Sequence, residues 1–476
     1  MTIRQQVEQL KSGSISAEDH LKKYLNAVEQ NKNLNAFISV LSARALQKAR
    51  EIDDNLASGK STGRLTGIVV AVKDNITIKD THVTCASRII ENFKSPYSAT
   101  VIERLEAEDA LIIGKTNLDE FAMGSSTENS AFGAVRNPNN PAFVPGGSSG
   151  GSAVSVATGM SHVSLGSDTG GSIRQPAAFT GVVGLKPTYG RVSRYGLVAY
   201  ASSLDQIGTF SRSVEDSACL LSVIAGRDEK DATSSPNPVP DFLSPMNSSI
   251  HDIRIGLPKE YFGKGLDREI KDNMDFYVEK LRQSGAKIKE VSLPHTEYAI
   301  AAYYIIAMAE ASSNLARYDS VRYGYRSGGK NDLLATYQNS RNEGFGEEVK
   351  RRILLGTYVL SAGYYDAYYK KAQQVRRLIK QDLDDVFESV DCILTPTTPT
   401  TAFKLGEKID DPLSMYLMDI YTVTANLAGI CGINIPAGKD KNGMPIGLQL
   451  MAASFREENL FRIGRAIELM RETDHA

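Results

Sequence analysis

The apolar run at residues 65–72 constrains the fold of this chain more than any other feature. It reads LTGIVVAV and ends at Lys73, after which come Asp74 and Asn75. A continuous β-branched run without alternation is typical of a central strand covered on both faces. Ligands bind at strand ends in open α/β sheets, so Lys73 is a candidate site residue. On residue type alone, a lysine here usually marks the point where a strand leaves the core.

Similar strand patterns and helical patterns alternate along the chain. The strand patterns cover residues 110–114, 253–257, 286–291 and 392–395, and a hairpin is expected from 433–438 and 446–451. The helical patterns cover residues 42–56, 99–108, 267–284 and most of 296–388. Ser454 and Glu457 have the spacing of a capping box before a final helix. This alternation predicts an α/β fold.

The composition excludes several classes of protein. Of 476 residues, 42% are hydrophobic and 23% are charged, which is ordinary for a globular domain and argues against a mainly disordered chain. The net charge of −2 provides no field that attracts nucleic acid, so we expect a partner to make most contacts with any RNA. No stretch has the length and apolarity of a membrane span, and we expect a cytoplasmic protein.

The cysteines and histidines give no sign of a metal site. No CxxC pair occurs among the four cysteines, which are Cys85, Cys219, Cys392 and Cys431. The six histidines show neither HxxxH nor HExxH spacing. We therefore expect buried, reduced cysteines and no metal ion bound by this chain.

Two Gly/Ser clusters, at residues 146–151 and 166–172, flank an apolar segment rich in valine. Flexible linkers are polar throughout, so this stretch does not fit a linker. Glycines within a packed core mark places where the backbone closely approaches another group. Pro176 places Ser172 near the N-terminus of a helix, beside a run of glycine N–H groups. The whole stretch is a candidate active site.

Three interpretations of these serines compete. The sequence GSSGG at 147–151 fits the G-x-S-x-G elbow of α/β-hydrolases with Ser149 as nucleophile, but no downstream histidine has a supporting context. A phosphate loop would need Gly-Lys-Ser/Thr after the glycines, and none is present. The third interpretation is a serine activated by a lysine, as in known variants of the catalytic triad.

The third interpretation is supported by a family resemblance. Three segments resemble the amidase signature family: GSSGG at 147–151, GSDTGGSIRQP at 166–176 and VKDN at 72–75. The resemblance implies that family's fold, a large mixed β-sheet covered by helices on both faces. It also implies Ser172 as nucleophile, Ser148 as bridging serine and Lys73 as base. The N–H groups implied to face the oxyanion are those of Thr169, Gly170, Gly171 and Ser172.

This chemistry requires a neutral lysine, whereas an ordinary lysine has a pKa of about 10.4. Burial disfavours the charged form, and a shift of about three pH units corresponds to roughly 4 kcal/mol. Asp168 and Arg174 flank the nucleophile with opposite charges, and we expect them to pair and hold the loop. Ser149 and Ser152 are expected to satisfy backbone groups.

Further segments resemble one branch of the family, the glutamine-hydrolysing subunits of tRNA-dependent amidotransferases. These segments are DEFAMG at 119–124, YGRVSRYGL at 189–197, SSLDQIG at 202–208 and GFGEEVKRRI at 344–353. The resemblance implies that Arg352 binds the α-carboxylate of glutamine and Asp419 its α-amino group. Tyr303 or Tyr304 is expected to assist. Without the resemblance, Arg352 fits a surface charge within a basic run.

The branch implies hydrolysis of L-glutamine through a γ-glutamyl ester on Ser172. The ammonia would pass to a B subunit that uses ATP and Mg²⁺ to convert Glu-tRNA(Gln), with Asp-tRNA(Asn) as a second candidate substrate. A small C subunit would clamp the pair. The mischarged tRNA would be held mainly by the B subunit, and this chain would bind no cofactor itself.

Two other functions stay open at this point. One is a stand-alone amidase acting on small or aryl amides, and the other is an inactive scaffold protein, against which the intact set of Lys73, Ser148 and Ser172 argues. We expect one amidase domain over 1–476. It would comprise a helical scaffold at 1–60, a catalytic core at about 65–215 and a C-terminal part at 250–476 that carries the glutamine-binding residues.

Overall fold

The computed structural model of the protein describes residues 1–263, 265–328, 332–408 and 411–474, so the last two residues of the predicted domain lie outside these ranges. Its strands are β1 (Phe37–Val40), β2 (Val69–Lys73), β3 (Leu111–Thr116), β4 (Val163–Asp168), β5 (Val183–Lys186), β6 (Gln206–Ser211), β7 (Arg254–Pro258), β8 (Lys287–Val291), β9 (Cys392–Pro396), β10 (Cys431–Lys439) and β11 (Pro445–Ala452). They form one sheet in the order β1-β3-β2-β4-β6-β5-β10-β11-β9-β7-β8. The sheet is mixed, because β2 runs parallel to β3 and β4 whereas β4 runs antiparallel to β6.

Helices cover this sheet. They are α1 (Ile3–Lys11), α2 (Ala17–Gln30), α3 (Ser42–Ala57), α4 (Thr100–Ala107), α5 (Gly150–Ala157), α6 (Arg174–Thr180), α7 (Val214–Ile224), α8 (Arg268–Gln283), α9 (Ala299–Leu315), α10 (Leu333–Gly344), α11 (Glu347–Leu360), α12 (Lys371–Ser389), α13 (Pro412–Tyr416), α14 (Val423–Ala428) and α15 (Glu457–Asp474). A short π-helix, Tyr365–Lys370, precedes α12.

Both faces of the sheet are buried, as the apolar run at β2 predicts. Val70 and Val72 pack into a core with residues of α4 and α7, whereas Val69 and Ala71 pack against residues of α2 and α3. Successive side chains of a strand point to opposite faces, so an uninterrupted apolar run supplies both layers. The predicted α/β fold with a large mixed sheet and helices on both faces is confirmed.

Most predicted elements are present, with one clear exception near the C-terminus. The hairpin is confirmed, because β10 pairs antiparallel with β11. The capping box is wrong: helix α15 begins at Glu457 itself. The buried carboxylate of Glu457 instead accepts from the N–H of Thr188 at 2.9 Å and pairs with Arg191 at 3.3 Å. Glu457 therefore joins distant segments rather than capping its own helix.

The fold brings the lysine strand and both Gly/Ser clusters to one edge of the sheet. Strands β2 and β4 are parallel neighbours, with Val72 opposite Leu165. Their carboxyl ends, at Lys73 and Asp168, therefore lie side by side. Helix α5 begins directly after Ser149, and α6 begins two residues after Ser172.

Candidate active site

The side chain of Lys73 is fully buried at the end of β2. Burial lowers the pKa of its ammonium to about 7, although the nearby carboxylates of Asp119, Asp168 and Asp205 oppose the shift. A large fraction of Lys73 is therefore a neutral amine at pH 7, able to accept a proton. Catalysis by a lysine base requires such a shift.

Two serine hydroxyls lie at equal distance from the Lys73 amine. The Nζ atom is 2.7 Å from Ser148 Oγ and 2.7 Å from Ser149 Oγ, and it is 3.0 Å from Ser167 Oγ. Ser149 Oγ also donates to the carbonyl oxygen of Ser167 at 3.0 Å, so its proton is engaged. Within the described ranges, Ser148 Oγ has no hydrogen-bond partner except Lys73. Its proton is the one available to the base.

Ser172 lies in the loop between β4 and α6, next to the buried lysine and serines. It is 8% exposed, whereas Lys73, Ser148 and Ser149 are fully buried. The N–H of Ser149 donates to the carbonyl oxygen of Ser172 at 3.3 Å, which joins the two Gly/Ser clusters. Among the described residues, no hydrogen bond links the hydroxyls of Ser148 and Ser172. The structure thus joins Lys73 to Ser148 and leaves Ser172 the most accessible of the group.

The segment before Ser172 presents unpaired backbone donors. The N–H groups of Thr169, Gly170 and Ser172 form no hydrogen bond to any residue that the structure describes. The N–H of Gly171 donates to Asp168 Oδ1 at 2.8 Å and is therefore already engaged. Three of the four predicted oxyanion donors are thus free to bind an anion.

Glycine is required in this segment by its close contacts. A Cβ atom on Gly170 would overlap with the hydroxyl of Tyr303. Gly171 has a φ of +137°, a conformation open to glycine, and a Cβ there would overlap with the Thr422 side chain. The Thr422 hydroxyl also donates to the carbonyl oxygen of Gly170 at 2.6 Å. The donor segment is therefore held from both sides.

Asp168 and Arg174 form the expected ion pair beneath the loop. Arg174 Nε lies 3.1 Å from Asp168 Oδ2, and both side chains are fully buried. Burial by itself would raise the pKa of Asp168, but the Arg174 guanidinium lowers it to about 2. Asp168 also accepts from the Ile173 N–H at 3.2 Å and from Asn426 Nδ2 at 2.9 Å. The pair therefore fixes the loop that carries Ser172.

Arg352 is buried in an aromatic cage and not on the surface, so the surface-charge interpretation is wrong. It is 3% exposed. Its Nε donates to Glu348 at 2.7 Å, and its Nη1 donates to the hydroxyl of Tyr200 at 2.7 Å. The guanidinium carbon lies 5.5–5.7 Å from the ring centroids of Tyr200, Tyr304 and Tyr416. Such rings stabilise a cation in a site of low polarity.

Asp419 contacts the hydroxyl of Tyr304. The Tyr304 hydroxyl donates to Asp419 Oδ2 at 3.2 Å, and Ser125 Oγ donates to the same oxygen at 2.8 Å. Burial raises the pKa of Asp419 to about 7. Tyr304 therefore joins Asp419 to Arg352, whereas Tyr303 lies against Gly170. The four predicted substrate-binding residues thus form one cluster, which contacts the oxyanion segment through Tyr303.

A cavity of about 630 Å³ opens beside Arg352. Its lining includes Arg352, Glu348, Tyr416, Glu120 and Ser126. Lys73, Ser148 and Ser172 are not among the described residues that line it. The cavity therefore reaches the arginine side of the site.

Comparisons with known proteins agree with this geometry. The family model described as Amidase matches residues 19–461. The A subunit of glutamyl-tRNA(Gln) amidotransferase from Koribacter versatilis is 57% identical over 94% of this chain and 93% of its own. The corresponding protein of Carboxydothermus hydrogenoformans is 55% identical over 98% and 96%. The chain belongs to the amidase family and, within it, to the A subunits of glutamyl-tRNA(Gln) amidotransferases.

Comparison with solved structures leads to the same family. The crystal structure of the A subunit of glutamyl-tRNA(Gln) amidotransferase from Thermotoga maritima has a TM-score of 0.79 and 45% identity, over 95% of this chain and 91% of that one. The peptide amidase from Stenotrophomonas maltophilia has a TM-score of 0.85 and 29% identity, over 99% and 97%. The family resemblance predicted from the sequence is confirmed.

Several residues of this amidase's site were not predicted from the sequence. Glu348 and Asp205 lie inside segments that resemble the family, but the sequence alone did not indicate what either residue does. Tyr200 and Ser125 had no such signal, because a lone tyrosine or serine is common in any loop. Their importance appears only in the contacts with Arg352 and Asp419.

Three further observations concern metal ligands, cysteines and membrane-spanning helices. Among the residues that the structure describes, no three His, Cys, Asp or Glu side chains form a group suited to a metal ion. All four cysteines are buried and free. None of the described helices combines the length and apolarity needed to cross a bilayer.

Proposed function

We propose that this chain hydrolyses L-glutamine through Ser172, Ser148 and Lys73 and supplies the ammonia to the other subunits of the amidotransferase. One observation carries the proposal: a fully buried lysine with a pKa near 7 lies 2.7 Å from a serine hydroxyl whose proton has no other acceptor among the described residues. That arrangement gives a general base at neutral pH without a histidine.

The acylation step begins with attack by Ser172 Oγ on the amide carbon of the glutamine side chain. The proton of Ser172 passes to Ser148, and that of Ser148 passes to Lys73. This relay requires contact between the hydroxyls of Ser148 and Ser172 when substrate binds, and catalytic hydrogen bonds are often longer in unliganded enzymes. The C–O bond forms as the carbonyl becomes an oxyanion, which the N–H groups of Thr169, Gly170 and Ser172 stabilise. Each such donor is typically worth about 3 kcal/mol.

Collapse of this intermediate completes acylation. The C–N bond breaks, the relay returns a proton to the leaving nitrogen, and ammonia departs, which leaves a γ-glutamyl ester on Ser172. Deacylation then uses the same groups. Water, deprotonated through the relay, then attacks the ester and releases glutamate and free Ser172. Atoms balance, since glutamine and water give glutamate and ammonia.

Arg352 and Asp419 provide the specificity for glutamine. A guanidinium binds the α-carboxylate, and a carboxylate binds the α-ammonium group. Burial favours a protonated Asp419, but an ammonium beside it would favour the ionised form. Tyr304 separates the two charged groups, and Tyr303 faces the reacting amide beside Gly170. The site therefore distinguishes an amino acid amide from a simple amide.

The partner subunits complete the reaction. In this proposal a B subunit binds the mischarged tRNA and uses ATP and Mg²⁺ to activate Glu-tRNA(Gln), with Asp-tRNA(Asn) as a second candidate. A C subunit holds the complex together, which we place in the cytoplasm. Two observations support this: the relatives are A subunits of such an enzyme, and this sequence has no phosphate-loop motif.

The test is Ser172→Ala in the complex reconstituted with its B and C subunits. We expect glutamine hydrolysis and glutamine-dependent amidation of tRNA to be lost, while amidation supplied with ammonium chloride remains. Wild-type complex is the control for both assays. Glutamine-dependent amidation at the wild-type rate would contradict the nucleophile assignment. Activity of the wild-type chain on aryl amides but not on glutamine would favour a stand-alone amidase.

A further inference from the structure

We propose that Tyr200 is a positioning residue that sets the direction of the Arg352 guanidinium, and through it the selection of amides that carry an α-carboxylate. The inference rests on the proposed function, in which Arg352 binds that carboxylate. Tyr200 lies before the SSLDQIG segment and is 2% exposed.

The Arg352 guanidinium is fixed at two of its nitrogens. Nε donates to Glu348, and Nη1 donates to the hydroxyl of Tyr200, each at 2.7 Å. Nη2 forms no hydrogen bond to any described residue. A guanidinium carries five N–H donors in one plane, so fixing Nε and one hydrogen of Nη1 leaves the remaining donors on the Nη1–Nη2 side. Those donors suit a bidentate contact with a carboxylate.

Tyr200 is in turn linked to the oxyanion segment by hydrogen bonds. Asp205 is 3% exposed and accepts from the N–H of Tyr200 at 2.9 Å. Its other oxygen accepts from the Thr169 hydroxyl at 2.6 Å. A continuous chain of hydrogen bonds thus joins Arg352 to Thr169, the first residue of the donor segment. It fixes the separation between the two ends of a bound glutamine.

Removal of the hydroxyl would therefore free the guanidinium without removing its charge. In Tyr200→Phe the ring still packs beside Arg352, but one buried N–H loses its acceptor. Loss of a hydrogen bond to a charged group weakens substrate binding, and we expect the KM for glutamine to rise about tenfold to a hundredfold. The kcat should stay near the wild-type value, because the reacting groups keep their places.

The experiment measures both constants in the reconstituted complex with two substrates, glutamine and 4-aminobutanamide, which lacks the α-carboxylate. We expect Tyr200→Phe to lower kcat/KM for glutamine and to leave the slower hydrolysis of 4-aminobutanamide unchanged. Tyr261→Phe is the matched control, because it removes another buried hydroxyl, bonded to Thr424 at 2.7 Å and out of contact with Arg352. An equal loss on both substrates, or no loss on either, would overturn the inference.

A double-mutant cycle with Arg352→Met separates this inference from the proposed function. We expect Arg352→Met to raise the KM for glutamine, and Tyr200→Phe to add nothing in that background. Additive effects would show that Tyr200 does not act through Arg352. An unchanged KM in Arg352→Met alone would contradict the proposed carboxylate site and the inference together. Thermal unfolding of each variant shows whether it is folded.

Discussion

At the scale of single residues, the proposed chemistry depends on the environment of Lys73. A lysine in water is almost entirely protonated at pH 7 and cannot take a proton from serine. Here the sheet and the two Gly/Ser clusters enclose the amine and bring its pKa to about 7. The hydroxyls around it accept or donate as needed, so the neutral form loses no hydrogen bond. The same lysine at a solvent-facing strand end would be inert.

The buried lysine predicts a pH dependence. Since only neutral Lys73 acts as base, protonation below its pKa removes activity, and kcat for glutamine should rise tenfold per pH unit up to an inflection near pH 7. We choose kcat because Asp419, whose pKa burial also raises to about 7, is kept ionised by the bound ammonium group. The measurement is the initial rate of glutamine hydrolysis at saturating glutamine from pH 5 to 9.

The control for this profile is the thermal midpoint of the complex at each pH, which shows whether lost activity reflects unfolding. A flat profile would show that Lys73 is not the base. A rate that still rises tenfold per pH unit at pH 9 would show that the pKa of the base is not lowered from the ordinary lysine value of about 10.4.

At the scale of secondary structure elements, helix α5 sets the position of Ser148. Gly151, in the first turn of α5, donates its N–H to the carbonyl oxygen of Asn117 at 3.2 Å. Asn117 follows β3, and Ala36 precedes β1. A Cβ on Gly151 would lie 2.5 Å from the carbonyl oxygens of both residues. The helix can approach these strand ends only because the residue is glycine.

Gly151→Ala should therefore destabilise the protein and impair catalysis. Overpacking against backbone atoms costs about 1–3 kcal/mol, and the displaced helix would move Ser148 away from Lys73. The measurements are the free energy of unfolding by urea and the glutaminase kcat.

Gly263→Ala is the matched control, because its φ is −81° and a Cβ there would meet no atom closer than 3.9 Å. Equal stability of the two variants would contradict the close-packing account of α5.

Sequence patterns predicted elements better than they predicted contacts between elements. The run at β2, the hairpin of β10 and β11 and helix α3 were all predictable, because their signals are local. The role of Glu457 was not, because its capping-box spacing is local while its partners, Thr188 and Arg191, are far along the chain. A buried carboxylate whose hydrogen-bond partners are distant in the chain produces no periodic pattern in the sequence.

At the scale of the whole molecule, the site is assembled from distant parts of the chain. Lys73, Ser148 and Ser172 come from strands and loops of the first half, whereas Arg352 and Asp419 come from the second. The grouping of the proposed triad in one place was predictable because its motifs are short and rich in glycine. The substrate pocket was predictable only by resemblance, and its cage of tyrosines and the Tyr200–Asp205 link appear only in three dimensions.

The same long-range assembly bears on the simplest serine motif. Ser149 is the serine of the G-x-S-x-G pattern, yet it is fully buried and donates to Ser167. Ser172 has no comparable motif outside the family, but it is the accessible serine beside the free N–H groups. Accessibility and proton partners therefore favour Ser172 over Ser149 as the proposed nucleophile.

The most direct test of the account is covalent labelling of the nucleophile. A glutamine analogue with a diazoketone in place of the amide should alkylate the attacking oxygen, and peptide mapping by mass spectrometry locates the label. We predict a single label on Ser172, protection by excess glutamine and no label in Ser172→Ala. A label on Ser149, or a label retained in Ser172→Ala, would contradict the assignment of Ser172 as the residue that attacks glutamine.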